Sequence, residues 1–160
     1  MTKISLATVL ALGFVSSLSA DGVDLKTTGQ AVIYYQTDDN FGANKMFDQH
    51  ARSKANAGLQ LNVNGDLGNG FGVGATGVAL GTLGLEKNLV GDTMQRANGG
   101  LNGSAITQAY VTKKIDNTTL KLGRQELPMS LSPLAFSEDW NVFKNTFDAA
   151  VAINTDIQVT

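Results

Sequence analysis

The feature of this sequence that most constrains its fold is an alternation of apolar and polar side chains with a period of two residues. It is clearest between Ser53 and Asp66. There the apolar positions are Ala55, Ala57, Leu59, Leu61 and Val63, and the polar positions are Lys54, Asn56, Gln60, Asn62, Asn64 and Asp66. Successive side chains of a β-strand point to opposite sides of the sheet, whereas a helix repeats about every 3.6 residues. The segment is therefore predicted to be a strand with one apolar and one amide-rich face.

The same alternation recurs in five further segments, which predicts an all-β protein with about six strands. These segments are Leu25–Gln36, Phe71–Gly81, Ala105–Lys114, Thr118–Glu126 and Thr146–Thr155. The connections between the strands alternate between long ones of about sixteen to twenty residues and tight ones of a few residues. Tight turns at one edge and long loops at the other are typical of an antiparallel transmembrane β-barrel of the porin type.

The composition of the two faces favours a membrane barrel over a water-soluble sandwich, whose strands also alternate. The polar positions carry mainly Asn, Gln, Thr and Gly, and charged residues make up only 16% of the chain, against about 25% in a typical soluble domain. The apolar positions are rich in alanine, which suits contact with lipid better than a densely packed core. A soluble exported β-sheet protein, such as an adhesin or a binding module, stays open as the alternative.

The first twenty residues have the pattern of a secretory signal peptide. Lys3 gives a weakly positive start, Ile4–Val15 is an apolar run, and Ser16–Ala20 is rich in small residues. The apolar run is shorter than the roughly 20 residues that a membrane helix needs. We therefore expect residues 1–20 to be a signal peptide that is cleaved after Ala20, and residues 21–160 to be the N-terminal part of a barrel in the outer membrane.

Several segments resemble one family of outer-membrane proteins. They are Gly29–Tyr35, Leu120–Leu127, Leu134–Val142 and Asn145–Ala150, which are similar to segments of the Opr-type (OprD-like) porins of Campylobacter-like bacteria, related to the Campylobacter major outer membrane protein. The resemblance implies a barrel of about sixteen to eighteen antiparallel strands, often a homotrimer, that passes ions and small hydrophilic solutes. Because such barrels have at least about eight strands, we expect this chain to be an N-terminal fragment of a porin or a truncated gene product.

Charged side chains that line a constriction set the selectivity of a channel, and five charged residues of the predicted strands are candidates for lining the pore. They are Lys26, Lys54, Lys121, Arg124 and Asp148. The alternation places the three lysines on polar faces, and it places Asp148 opposite the apolar positions of its strand. Arg124 shares the parity of Leu120 and Leu122, so we expect it near the rim or at a bulge, because a charge facing lipid at mid-membrane costs about 2–4 kcal/mol. The alternative is that all five are ordinary hydrated charges.

The long connection Leu127–Asn145 mixes apolar and charged side chains, and two interpretations of it stay open. In the first, it folds into the lumen and narrows it, with Glu138 and Asp139 at the constriction. In the second, it caps the barrel or packs against a neighbouring subunit. A separate alternative places Trp140, Phe143 and Phe147 in an aromatic girdle at the membrane interface. The candidate constriction residues are Phe136, Glu138, Asp139, Trp140 and Lys144.

The composition gives no indication of catalysis, of a cofactor or of a nucleic-acid partner. The chain has no cysteine and a single histidine, His50, which argues against a zinc site and against a Ser–His catalytic pair. Residues 38–48 carry several Asp and Asn side chains without the spacing of an EF-hand, so we expect a hydrated loop there. The net charge of −2 does not indicate binding of nucleic acid. The expected partners are membrane lipid, ions and small hydrophilic solutes.

Overall fold

The computed structural model describes residues 5–20, 23–38, 47 and 52–156, in which seven strands form one open antiparallel sheet. The strands are neighbours in the order in which they occur in the chain. They are β1 (Ser5–Ala20), β2 (Val23–Asp38), β3 (Lys54–Gly68), β4 (Phe71–Gly81), β5 (Gly103–Ile115), β6 (Thr118–Gln125) and β7 (Phe147–Asn154). One short 3-10 helix, Leu85–Lys87, lies between β4 and β5. None of the described residues belongs to a helix long and apolar enough to span a membrane.

The six strands predicted from the alternation are confirmed as β2–β7, and β4 has the predicted bounds. β1 is an additional strand that covers most of the predicted signal peptide. It pairs with β2 from Ser5, opposite Asp38, to Ala20, opposite Val23. Because β1 lies at the edge of the sheet and pairs with β2 alone, its removal would leave the pairing of β2–β7 intact. Cleavage after Ala20 stays a prediction.

Tight turns lie at one end of the sheet and long connections at the other, as the sequence predicted. Asn69 and Gly70 join β3 to β4, and Asp116 and Asn117 join β5 to β6. Asn69 and Asp116 have φ angles of 52° and 48°, a region that Asn and Asp adopt more readily than other side chains. The long connections are residues 39–53, residues 82–102 (the second loop) and residues 126–146 (the third loop). The two ends of the sheet are called the turn end and the loop end below.

The register of the strands assigns the side chains to two faces, because directly paired residues share a face. Leu61 pairs with Gly77, and Val73 pairs with Val111, which pairs with Leu122. This side is the apolar face, and ten of its large side chains are 36–67% exposed: Ile33, Leu59, Leu61, Val63, Phe71, Val73, Ile106, Val111, Leu120 and Leu122. The opposite side is the amide face, which carries Thr28, Gln30, Gln60, Asn62, Asn64, Thr76, Gln108 and Tyr110.

In a water-soluble sheet the apolar face is buried and the polar face is exposed, whereas here the apolar face is the more exposed of the two. Leu59, Leu61 and Val63 are 45%, 41% and 39% exposed, whereas Gln60 and Asn62 between them are partly buried. A soluble β-protein covers its apolar face with a second layer of structure, and no such layer lies over the apolar face among the described residues. The described apolar core is instead a small cluster at the loop end, centred on Val32, Leu80 and Phe143.

Candidate functional site

A ladder of hydrogen-bonded polar side chains crosses β2, β3 and β4 on the amide face. Gln30 donates to the side chain of Gln60 at 3.1 Å, and Gln60 donates to Asn62 at 3.0 Å. The Oδ1 atom of Asn62 also accepts from the hydroxyl of Thr76 at 2.8 Å, and its Nδ2 donates to Thr28 at 3.3 Å. Because these side chains use one another as partners, the surface stays polar while its groups are held in fixed positions.

Towards the turn end, the amide face continues through Tyr110 of β5. Its ring lies so close over Gly74 that a Cβ at that position would be 2.2 Å from the nearest ring atom. Its hydroxyl donates to Asn64 at 2.8 Å. The Nζ of Lys121 lies 3.7 Å from the centre of the same ring, which is a cation–π contact. Lys121 is thus held against the sheet, with its charge on the amide face.

The three lysines predicted to line a pore all lie on the amide face. Lys26 is opposite Asn64, and Lys121 is opposite Thr112. Each is the fourth residue of its strand counted from the turn end. Lys54 is at the loop end of β3, opposite Gln36. The three charges are therefore spread over three strands of this face and do not form a single cluster.

Arg124 and Asp148 lie on the apolar face instead of the amide face. They pair directly across β6 and β7, each one residue from the loop end of its strand. The guanidinium binds the carboxylate in a two-point contact, with Nε to Oδ1 at 3.0 Å and Nη2 to Oδ2 at 3.1 Å. Asp148 was expected on the polar side because it alternates with Phe147 and Ala149. The register with β6 turns those two residues towards the amide side, so Asp148 points the other way.

The third loop folds over the amide face at the loop end. The ring of Phe143, which is 5% exposed, packs against Gly58 and Leu80, and a Cβ at position 58 would be 2.8 Å from it. Val32 completes this cluster. Val32, Gly58 and Leu80 are paired with one another on the amide face. Phe143 therefore lies on the amide side, and Phe147 shares that side, so neither contributes to an aromatic girdle on the apolar face.

A chain of charged and polar side chains also connects the third loop to the amide face. Gln108 of β5 donates to Glu126 at 2.9 Å, and Glu126 lies 4.0 Å from the Nζ of Lys144. The same Nζ is 2.9 Å from Asp139. The hydrogen bond to Asp139 is the main cause that raises the pKa of Lys144 above its ordinary value. Lys144 and Asp139, both predicted at a constriction, are thus brought together as a pair.

The other candidate constriction residues are held within the third loop. Asn145 accepts from the backbone N–H of Glu138 at 2.7 Å and donates to the carbonyl of Phe136 at 3.4 Å. The indole N–H of Trp140 donates to the carboxylate of Glu138, and the Trp140 side chain is 63% exposed. Asn145 therefore closes the segment that presents Phe136, Glu138 and Trp140, a role that its place in the sequence did not indicate.

Asn56 and Gln95 were not singled out in the sequence, yet they connect the sheet to the second loop. Asn56 lies on the amide face of β3 and is 1% exposed. Its Oδ1 accepts from the backbone N–H groups of Met94 at 2.7 Å and Gln95 at 3.0 Å, and its Nδ2 donates to the carbonyl of Gln95 at 3.1 Å. These partners are 38 and 39 residues away in the chain, so a local pattern could not reveal them.

Replacing Asn56 by alanine is expected to loosen the second loop, whereas replacing Asn64 by alanine should leave that loop unchanged. The first substitution leaves two backbone N–H groups without their partner, at about 1–3 kcal/mol for each one that stays buried. Asn64 is exposed and has no hydrogen bond to the second loop. Amide hydrogen exchange at Met94 and Gln95 should become faster by about tenfold or more in Asn56→Ala. Equal exchange rates in the two variants would show that Asn56 does not hold the second loop in place.

The described site is an extended surface: a polar wall with fixed charges along it and two long loops folded over its loop end. Such a wall offers alternating hydrogen-bond donors and acceptors to water and to polar solutes along its length. Among the residues that the structure describes, no three His, Cys, Asp or Glu side chains come together in a way that could hold a metal ion. Comparisons with protein-family models, with curated proteins and with solved structures find no match for this chain.

Proposed function

We propose that this chain forms part of the wall of an outer-membrane β-barrel, a porin, whose amide face lines a water-filled channel for ions and small hydrophilic solutes. The observation that carries the proposal is the inverted exposure of the two faces of the sheet. Leucine and valine side chains of β3 stand exposed on one side, and hydrogen-bonded amides lie partly buried on the other. Transmembrane barrels have an apolar outer band and a polar interior, which accounts for both observations together.

The height of the apolar face supports the proposal. On β3, exposed apolar side chains run from Leu59 to Leu67, a span of eight residue steps (67 − 59) or about 26 Å at about 3.3 Å per residue. At the tilt of about 40° that is usual for barrel strands, this span crosses about 20 Å of membrane, close to the apolar band of about 25 Å in known barrels.

Aromatic side chains flank this band on the apolar face. Tyr35 lies near the loop end of β2 and stacks on Phe47 with ring centres 5.8 Å apart. Phe71 lies at the turn end of β4, and the Nζ of Lys113 is 3.8 Å from the centre of its ring. Aromatic girdles at both interfaces are a feature of transmembrane barrels. The turn end would then face the periplasm and the loop end the outside.

The proposal requires strands besides β2–β7, because cleavage after Ala20 would remove β1 and because an open sheet edge is not tolerated in lipid. It also includes export through a signal peptide at residues 1–20 and assembly into a homotrimer, which the resemblance to Opr-type porins implies. In this arrangement Lys26, Lys54 and Lys121 contribute charge to the channel wall, and the third loop narrows the channel at its outer end. Arg124 and Asp148 lie on the outer surface near the rim.

The proposal is tested by recording ion current through the protein, purified in detergent and added to a planar lipid bilayer. Stepwise current increases are expected. Lys121→Gln should shift the reversal potential in a salt gradient towards cation selectivity, because it removes a positive charge from the channel wall. The matched variant Lys113→Gln removes a charge from the apolar face and should leave the reversal potential unchanged.

Two results would refute the proposal. One is the absence of stepwise current at all voltages and salt concentrations. The other is recovery of the protein in plain buffer without detergent, which would favour a soluble exported adhesin or binding module instead.

A further inference from the structure

Gln95 of the second loop binds the third loop through both ends of its side-chain amide. Its Nε2 donates to the carbonyl of Phe143 at 3.1 Å, and its Oε1 accepts from the N–H of Phe143 at 2.8 Å. One amide thus satisfies both backbone groups of a single residue, which fixes the position and the orientation of that residue. Gln95 and Phe143 are 48 residues apart, so the contact joins two loops that are not adjacent in the chain.

Gln95 is itself fixed to the sheet. Its backbone N–H and carbonyl both bind the side chain of Asn56, which is buried on β3. The backbone of the second loop also pairs with the start of β3, since Ala55 donates to the carbonyl of Asp92 at 3.2 Å. A continuous path of hydrogen bonds therefore runs from β3 through Asn56 and Gln95 to Phe143.

We infer that Gln95 is a positioning residue that sets how far the third loop reaches across the amide face, and thereby the width of the proposed channel. This inference rests on the proposed function. Phe143 is followed directly by Lys144, whose ammonium pairs with Asp139 and lies near Glu126. Holding the backbone of Phe143 therefore also holds the charged part of the loop over the amide face. Without Gln95, the N–H and carbonyl of Phe143 lose their partners in a buried site, a cost that favours release of the loop.

The first test measures whether the loop is released, independently of any channel. Gln95→Leu removes both hydrogen bonds with little change in side-chain volume. Trypsin should then cut after Lys144 faster by about tenfold or more, the effect expected from losing two hydrogen bonds. Gln60→Leu is the control for cleavage, because it makes the same replacement on the amide face and Gln60 has no hydrogen bond to the third loop. Equal cleavage in the two variants would overturn the inference.

The second test measures channel width and distinguishes positioning from simple stabilisation. In planar bilayers, Gln95→Leu should have a higher single-channel conductance than the unmodified protein at neutral pH. Gln95→Glu should behave like Gln95→Leu at neutral pH, because a carboxylate cannot donate to the carbonyl of Phe143. It should return towards normal conductance at acidic pH, where a protonated carboxyl both donates and accepts as glutamine does.

The other ionisable groups around this contact are the same in all variants, so the conductance of Gln95→Leu at each pH controls for the effect of pH on them. These groups are Lys54, Asp92, Arg96, Glu126, Asp139 and Lys144. Unchanged conductance in Gln95→Leu, with channels present, would overturn the inference while leaving the proposed function intact. Faster cleavage after Lys144 without any channel in the unmodified protein would refute the proposed function, and the role in channel width with it. A return to normal conductance at acidic pH in Gln95→Glu, but not in Gln95→Leu, would support the inference that Gln95 positions the third loop.

Discussion

Replacing Leu61 by lysine is expected to prevent insertion of the protein into lipid, whereas replacing the adjacent Asn62 by lysine should leave insertion intact. Leu61 lies near the middle of the apolar face of β3 and is 41% exposed. A lysine facing lipid near the middle of the bilayer costs about 2–4 kcal/mol, a large part of the stability of a typical protein. Asn62 lies on the amide face, where a lysine would meet water.

The two variants can be compared by the fraction that becomes resistant to protease after refolding into phosphatidylcholine vesicles. A large loss for Leu61→Lys and a small one for Asn62→Lys would support an outward apolar face. The reverse order, or equal losses, would show that the apolar face does not contact lipid.

Replacing Gly123 by alanine is expected to disrupt the pairing of β5 with β6. Gly123 has a φ of 129°, a region that side chains with a Cβ rarely adopt, and an added Cβ would be 2.4 Å from the carbonyl oxygen of Ala109. The backbone strain alone costs about 1–3 kcal/mol, and the neighbour that must move is backbone of the adjacent strand. Because Lys121 and Arg124 lie on the same strand, both would lose their present positions.

Gly77→Ala is the matched control for this substitution. Gly77 has no atom within 4 Å of an added Cβ, and its φ lies outside the positive range. The free energy of unfolding, measured in urea with the protein in lipid vesicles, should fall markedly in Gly123→Ala and change little in Gly77→Ala. Equal free energies in the two variants would mean that β5 and β6 are not paired in this register.

The strands could be predicted because their signal is local. In β4, the turn residues Asn69 and Gly70 precede a run that alternates as far as Gly81, so both bounds followed from neighbouring residues. β1 was not predicted as a strand, because Ile4–Val15 is nearly continuous in apolar residues and shows no polar face. A continuous apolar run does not distinguish a signal peptide from a strand by its period.

The side to which a strand turns its residues was harder to predict than the strand itself. The alternation of β7 identified a strand, but Phe147 and Ala149 face the amide side and Asp148 the apolar side. Only the register with β6 decides this, and a shift of one residue reverses every side chain. The side chains of β7 on the apolar face are Asp148, Ala150, Ala152 and Asn154, which carry too little apolar volume to reveal the face in the sequence.

The contacts that place the third loop could not be predicted, because they join distant parts of the chain. Phe143 packs on Gly58 and Leu80 and is bound by Gln95, and none of these residues is adjacent to it in sequence. The sequence did indicate that Glu138, Asp139 and Lys144 belong to one loop. It left open whether that loop folds over the amide face, which the burial of Phe143 among amide-face residues decides.

The most direct test of an apolar exterior and a hydrated interior is the water accessibility of six consecutive positions of β3 in lipid vesicles, from Leu59 to Asn64. The chain has no cysteine, so single cysteines introduced at each position can be labelled without background by a charged, water-soluble thiol reagent. We expect cysteines at Gln60, Asn62 and Asn64 to react, and those at Leu59, Leu61 and Val63 to react only with a lipid-soluble reagent. Reaction of the second set with the charged reagent while the first set is protected would contradict an apolar exterior and a hydrated interior.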